Sequence, residues 1–187
     1  SSLDGNTVIT VDVRAYNGVN FNEHKLIIPS TVTSILNNAF SGCKIGGHLD
    51  LNNVTTIGTY GFTDNKISSI QMNKTCSHHF AFQNCSNLTE LRANNVTSVY
   101  NTLFHSVSNI KTIYFDQLPD ISWNHDGVYL FNSPVSVIIS KEISSVNEIN
   151  TTRLNNWSSR ATKGDKKNIT IYVPYQSYEI YKQTSLN

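Results

Sequence analysis

Single phenylalanines and short apolar pairs recur along the chain at nearly constant spacing. Ala39-Phe40, Gly61-Phe62, Ala81-Phe82 and Leu103-Phe104 stand at intervals of 22, 20 and 22 residues, and Leu130-Phe131 follows after 27. Eight residues before three of these phenylalanines is a valine, which opens Val32-Thr-Ser-Ile35, Val54-Thr-Thr-Ile57 and Val96-Thr-Ser-Val99. Three residues after the first four come Cys43, Asn65, Cys85 and Val107. Alternating apolar pairs complete the unit: Leu49/Leu51, Ile70/Met72, Leu91/Ala93 and Ile113/Phe115.

Each alternating pair predicts a short strand with one buried face, and the phenylalanine block predicts the turn that returns the chain. A unit of 20 to 24 residues cannot bury its own apolar side, so copies must stack into a solenoid with a continuous core. Its strands become rungs of a parallel sheet about 4.8 Å apart, and Phe40, Phe62, Phe82 and Phe104 form an internal column. Thr7–Val13 alternates like a strand and is expected to cover the open edge of the first rung. Residues 168–173 supply a last rung. Pro174 then starts a helix with Tyr175, Tyr178 and Tyr181 at three-residue spacing. The expected organisation is one domain: an N-terminal strand cap over residues 1–23, repeats over 24–139, an irregular insertion over 140–167, and a C-terminal strand-helix cap over 168–187. The third copy is short, with Cys76 and His79 near the valine and isoleucine slots. The insertion, which holds Arg153, Arg160, Lys163, Lys166 and Lys167, reads as a loop or short helix.

The run Leu26-Ile-Ile-Pro-Ser-Thr-Val-Thr-Ser-Ile-Leu-Asn-Asn-Ala-Phe-Ser-Gly-Cys43 resembles the BspA-like leucine-rich repeat, whose pattern is apolar-x-Ile-Pro, Val-x-x-Ile-Gly, Ala-Phe-x-x-Cys. Ile57-Gly58 supplies the Ile-Gly step. The ending Ile171-Tyr-Val-Pro-Tyr-Gln-Ser-Tyr-Glu-Ile-Tyr-Lys182 is similar to the closing segment of such proteins. The resemblance spans residues 24 to 183 and implies a β-rich α/β solenoid with a parallel sheet on one face. It also implies a secreted or surface-attached, non-enzymatic protein of bacterial type that serves adhesion or recognition, since some members bind host matrix proteins or other cells.

Composition narrows the classes further. Lys and Arg number 14 against 13 Asp and Glu, and only 14% of residues are charged where about 25% is usual. A phosphate-tracking basic face, and with it a nucleic-acid partner, is not expected. Polarity is carried instead by Asn, Ser and Thr, with 24 asparagines, which suits turns and strand faces better than helix interiors. No apolar run approaches the roughly 20 residues of a membrane helix. The start Ser1-Ser2, with neither Met nor a hydrophobic leader, suggests a processed or trimmed piece of a longer protein whose anchor is left out.

Candidate chemistry is sparse. The motifs Gly-x-Ser-x-Gly and His-Glu-x-x-His and phosphate-cradling glycine loops do not occur. Cys76 beside His78 and His79 is the one close thiol and imidazole grouping. Cys43 and Cys85 share a repeat slot that packs inward as a small apolar residue. They lie two rungs, about 10 Å, apart by strand spacing and are expected as thiols. No cofactor or metal is expected. Eight Asn-x-Ser/Thr triplets read as a by-product of composition; one of them, Asn84, is expected beside Cys85 in the packed turn, a poor place for a glycan.

The informative surface is the outer side of the strand ladder. Asp50, Gln71, Arg92 and Tyr114 fall one per rung, with Asn52, Asn73, Asn94 and Asp116 one step further on and His48, Ser69, Glu90 and Thr112 one step before. A solvated face would look the same. The functional reading is a binding face for a protein or cell-surface ligand, with Arg92 and Tyr114 as anchors. A spacer within a larger surface protein and a glycan-binding face around Tyr114, Asp116 and Arg92 are the alternatives. Trp123, Tyr129 and Trp157 are either added anchors or plugs of the core, with plugging favoured for at least one tryptophan. The isolated domain is expected to be monomeric.

Overall fold

The computed structural model describes residues 8–73, 76–77, 79–122, 130–131, 133–160 and 169–183. The chain winds as a solenoid whose central rungs each contribute two strands. The larger sheet takes one strand per rung: β3 (Gly46–Leu51), β5 (Lys66–Asn73), β7 (Glu90–Asn94), β9 (Thr112–Phe115), β11 (Val135–Ile139) and β12 (Ile169–Tyr172), all parallel and in that spatial order. The Val-x-x-Ile segments build a second, narrower wall. There β1 (Thr10–Val11), β2 (Ser34–Ile35), β4 (Thr56–Ile57) and β6 (Cys76–Ser77) pair in order. The strands β8 (Ser98–Tyr100) and β10 (Asp120–Ser122) pair with each other, with β8 beside β6.

The predicted inward positions are buried throughout. Leu49, Leu51, Ile70, Met72, Leu91, Ala93, Ile113 and Phe115 line the core from the large sheet; Val32, Ile35, Val54, Ile57, Val96 and Val99 face them from the second wall. The phenylalanines close the interior from the third side. Phe40, Phe62, Phe82 and Phe104 stack with ring centroids 5.2, 5.7 and 6.2 Å apart. The column is longer than the sequence suggested, because Tyr16 stacks on Phe40 at 5.1 Å and Phe131 on Phe104 at 6.2 Å.

The turns are as regular as the strands. In each, alternate backbone N–H groups donate to the next rung: Asn38 to Thr59, Phe40 to Gly61 and Gly42 to Thr63, then Tyr60 to His79, Phe62 to Ala81 and Asp64 to Gln83. Four of the turns hold two left-handed residues four apart, Arg14/Gly18, Asn38/Gly42, Tyr60/Asp64 and Phe80/Asn84, and the next holds Ser106, with φ between 57° and 75°. The later position of each turn, Gly18, Gly42, Asp64, Asn84 and Ser106, carries residue types that tolerate that region or are small, a second periodic signal in the sequence. Gly58 explains the Ile-Gly step. A Cβ there would strike the side chain of Asn37 and the backbone of Leu36 and Asn37 in the rung before.

Three sequence expectations change. The N-terminal alternation does not cover the large sheet. Only Thr10–Val11 is extended, and it pairs with Ser34–Ile35 in the second wall. Arg14 turns the chain with φ 57°, and the N–H groups of Arg14, Tyr16 and Gly18 donate to Asn37, Ala39 and Ser41, so residues 10–25 form a rung rather than a cap. In the short third copy Ser77, not His79, lies opposite Ile57, with Cys76 opposite Thr56. Asn84 is exposed rather than packed, because its neighbour Cys85 alone turns inward. The insertion, read from the sequence as a loop or short helix, contains a helix, α1 (Thr151–Arg160), preceded by one 3-10 turn over Val146–Glu148.

Helix α1 closes the stack. Its Trp157 is buried edge-on against Phe115 at 5.7 Å, lies 6.1 Å from Phe131, and donates its indole N–H to the Pro119 carbonyl at 2.7 Å. Arg153 pairs with Asp120 at 3.2 Å. Beyond β12 the expected turn of helix forms as a 3-10 turn at Tyr175–Ser177 running into α2 (Tyr178–Tyr181). Ser177 ties it down, its hydroxyl oxygen accepting the Ile143 N–H at 2.9 Å.

Phe62 is fully buried between two stacked neighbours, so Phe62→Ala removes contacts on both sides and leaves a cavity. The expected loss is about 3 to 5 kcal/mol in denaturant unfolding. A loss below about 1 kcal/mol would show that the column carries no such packing energy.

Candidate functional site

The strand registers bring the sequence-predicted columns together on the outer face of the large sheet. Asp50 lies opposite Gln71, Gln71 opposite Arg92, and Arg92 opposite Tyr114. The same column runs on through Ile138 to Tyr172, so it passes from polar to apolar along the stack. The preceding column is His48, Ser69, Glu90 and Thr112, continued by Ser136 and Thr170. Of the third column, Asn73 and Asn94 pair within the sheet, while Asn52 and Asp116 fall just past the ends of β3 and β9.

Several of these side chains serve the fold's own turns. The Asp50 carboxylate accepts the Asn52 N–H at 2.9 Å and the Asp116 carboxylate accepts the Asn95 N–H at 3.0 Å. Asn95 donates its side-chain amide to Asn73 Oδ1 at 2.9 Å. His48 and Ser69 hydrogen-bond at 2.9 Å. The row is therefore not four independent prongs.

Arg92, Tyr114 and Glu90 form one unit. Arg92 Nε donates to Glu90 Oε1 at 2.9 Å on the same strand, and its guanidinium carbon sits 3.9 Å from the centre of the Tyr114 ring on the next. Spacing of two on a strand puts Glu90 and Arg92 on one face, and the parallel register puts Tyr114 beside Arg92. The Arg92 and Glu90 side chains remain 46% and 36% exposed, so the pair itself adds little stability. It does hold the guanidinium plane with its Nη groups free of partners among the described residues.

The remaining candidates resolve differently. Trp157 is a core plug, and Arg153 is paired against β10, so neither is a free anchor. Trp123, His125, Tyr129, His78, Lys163, Lys166 and Lys167 lie outside the described residues. Among the described residues no three His, Cys, Asp or Glu side chains gather as metal ligands, and no helix is long and apolar enough to cross a membrane.

Cys43 and Cys85 are buried free thiols, as their shared slot predicts. Cys43 Sγ donates to the Tyr16 carbonyl at 2.9 Å and Cys85 Sγ to the Phe62 carbonyl at 3.3 Å. Asn65 occupies the same slot between them and does more. Its Oδ1 accepts the Ile45 N–H at 2.8 Å, while its Nδ2 donates to the carbonyls of Phe40 and Phe62 at 2.8 and 2.9 Å. Cys43, Asn65 and Cys85 thus each bind the backbone of a neighbouring turn through their side chains.

Sequence reasoning missed an aromatic cluster on the turn side. Tyr60 and Phe80 stack at 5.3 Å although both hold left-handed φ, 59° and 57°, and His79 lies 4.4 Å from Tyr100. The available signal was the slot before the Ala/Gly-Phe pair, which holds Asn38 in one copy and aromatics in the next two.

Parallel rungs with a strand, a return and a phenylalanine turn define a leucine-rich-repeat solenoid, a fold that is typically non-enzymatic and commonly binds proteins. The six copies matched by the BspA type leucine-rich repeat region span residues 10–125, well over half of the chain. The chain belongs to this family, and the match begins at β1, in accord with a first rung at residues 10–25. Comparison with curated proteins and with solved structures returns no match.

Burial pushes the Cys85 thiol up from its ordinary 9.0 to about 12, the Asp64 charge adding to the effect and the Asn65 N–H opposing it. The unfolded chain loses this proton near pH 9 and the folded chain keeps it to about 12, so the group's contribution to stability is present below pH 9 and lost as pH rises between them. Cys85→Ala should flatten that part of the stability curve. Thiol reagents should label Cys43 and Cys85 slowly in the native protein and rapidly after denaturation; fast native labelling would contradict their burial.

Proposed function

We propose that this chain is a recognition module of an extracellular or cell-surface protein, and that it binds a protein ligand through the outer face of the large sheet. The observation that carries this reading is the Glu90–Arg92–Tyr114 unit. Its guanidinium is oriented before any ligand arrives, which lowers the ordering cost of binding. Arg and Tyr are also the residue types that dominate interface hot spots. Gln71 and Asp50 extend the line toward β3 by steps of about 4.8 Å, a length suited to an extended peptide segment. Free Nη donors favour a partner that presents a carboxylate or a backbone carbonyl. The family's members, generally surface or secreted proteins, support the location.

A glycan reading needs the flat of an aromatic ring. Arg92 covers one side of Tyr114, which leaves that reading weaker than a protein ligand.

Arg92→Ala with Tyr114→Ala should change unfolding free energy by no more than about 1 kcal/mol, because Arg92 is exposed and Tyr114 only half-buried on the outer face. On an array of matrix proteins and glycans the wild-type domain should bind protein spots, and the double variant should bind them at least tenfold more weakly. Equal binding by both would move the site off this face, and binding confined to glycan spots would favour the sugar reading.

A further inference from the structure

We infer that Arg14, Asn38 and the open face of the Tyr60 ring, in a row on the turn corner of the solenoid, bind a sugar ring that carries a carboxylate. The three residues fill one slot of successive turns, the slot that Phe80 fills in the next. The N–H groups of Arg14, Asn38 and Tyr60 donate to Asn37, Thr59 and His79, so the residues stand in line along the stack. All four hold left-handed φ of 57° to 59°, which points their side chains the same way. Asparagine tolerates that region, whereas bulky rings are outliers in it. Burial does not offset the strain, because Tyr60 and Phe80 are only half-buried on the outside of the turn. Backbone held this way gathers at ligand sites.

The ring ladder stops at Tyr60. Phe80 stacks on one face of Tyr60 with centroids 5.3 Å apart. The slot on the other side holds Asn38, whose side chain is too short to cover the outer half of the ring. Arg14 stands one rung further. The core rings two positions on, Tyr16, Phe40 and Phe62, fix the rung spacing, so Arg14 and Tyr60 lie about 10 Å apart along the stack. The Arg14 guanidinium, the Asn38 amide and the Tyr60 hydroxyl have no hydrogen-bond or ion-pair partner among the described residues. The carboxylates closest to them in sequence are turned elsewhere, Asp12 to the Val13 N–H and Asp64 to the Asn84 amide.

A pyranose has a flat of C–H groups and a rim of hydroxyls. Laid about 4 Å from the open face of Tyr60, it occupies the gap between that ring and Arg14. The Asn38 amide, both donor and acceptor, meets rim hydroxyls. The guanidinium takes a carboxylate in a bidentate pair. A neutral sugar leaves the cation unpaired, and a carboxylate without a flat ring leaves Tyr60 unused, so the row fits an acidic sugar. Hexuronic and sialic acids share this chemistry. The row lies on the turns and stands independently of the Glu90–Arg92–Tyr114 unit on the large sheet.

The test is a titration of the full chain with trigalacturonic acid, sialyllactose and neutral lactose, followed by calorimetry and amide NMR. At least one acidic sugar should bind saturably, with shifts at Arg14, Asn38 and Tyr60, and lactose at least tenfold more weakly. Which acid binds tells a uronic-acid polymer from a sialylated glycan as the source. Asn38→Tyr sets a ring against Tyr60, as the next two copies do, and Arg14→Gln removes the cation. Each should hold the melting temperature and weaken the acidic sugar at least tenfold. Arg92→Ala with Tyr114→Ala should bind it as the wild type does. No saturable binding of either acid up to about 10 mM, equal binding of lactose, full binding by either single variant, or loss in the double variant would each overturn the assignment. A dimer broken by Asn38→Tyr, or protein binding lost in that variant, would give the row to a second copy or a protein partner and overturn it as well.

Discussion

The fold depends on one constraint: every turn must hydrogen-bond to the next turn with the same residues in the same places. The Phe62 N–H reaches the Ala81 carbonyl only if the two turns are superimposed along the stack, and that superposition sets Phe62 over Phe82. Once the turns are in register the strands on either side are too. The outer columns from Asp50 to Tyr114, and the contact between Arg92 and Tyr114, follow from it. Asn65 shows how strict the constraint is. It is a fully buried amide whose hydrogen bonds all go to turn backbone. A polar group is retained there because its partners are fixed.

Much of this was legible in the sequence because the same residue types recur in the same slots. The phenylalanines, the Val-x-x-Ile segments and the alternating pairs each mark one limb of a rung, and each limb is where they place it. The rung at residues 10–25 was not legible. It carries Tyr16 in the phenylalanine slot, and its Val8-Ile-Thr-Val11, placed before Tyr16 as Val96-Thr-Ser-Val99 is before Phe104, reads equally as part of an alternating strand, so its backbone ladder is what reveals it. The slip at Cys76–Ser77 was hidden for a related reason: backbone pairing tolerates Ser77 where the pattern wants isoleucine. Trp157 was one of two tryptophans that could plug the core, and only the path of α1 shows it there.

The candidate site was half legible. Alternation was enough to place Asp50, Gln71, Arg92 and Tyr114 on one face and in one row. It could not show which side chains the fold itself consumes. The carboxylates of Asp50 and Asp116 are turned toward backbone N–H groups by the loops that follow their strands, and loops are where the repeat is least regular. The lapse in pairing beside β3 was hidden for the opposite reason, since Leu26-Ile27-Ile28-Pro29 reads as a normal copy although its limb meets the next rung only near its ends, at Lys25 and Thr33.

Native-state hydrogen exchange of the turn amides tests the central constraint most directly. The N–H groups of Phe40, Gly42, Phe62, Asp64, Phe82 and Asn84 all donate across rungs. They should exchange only through the opening that also exposes the amides of β5 and β7, with protection equal to that of the large sheet. Protection at the level of exposed surface loops, while the sheet stays protected, would show that the strands hold the stack and the turns merely follow, contradicting the account.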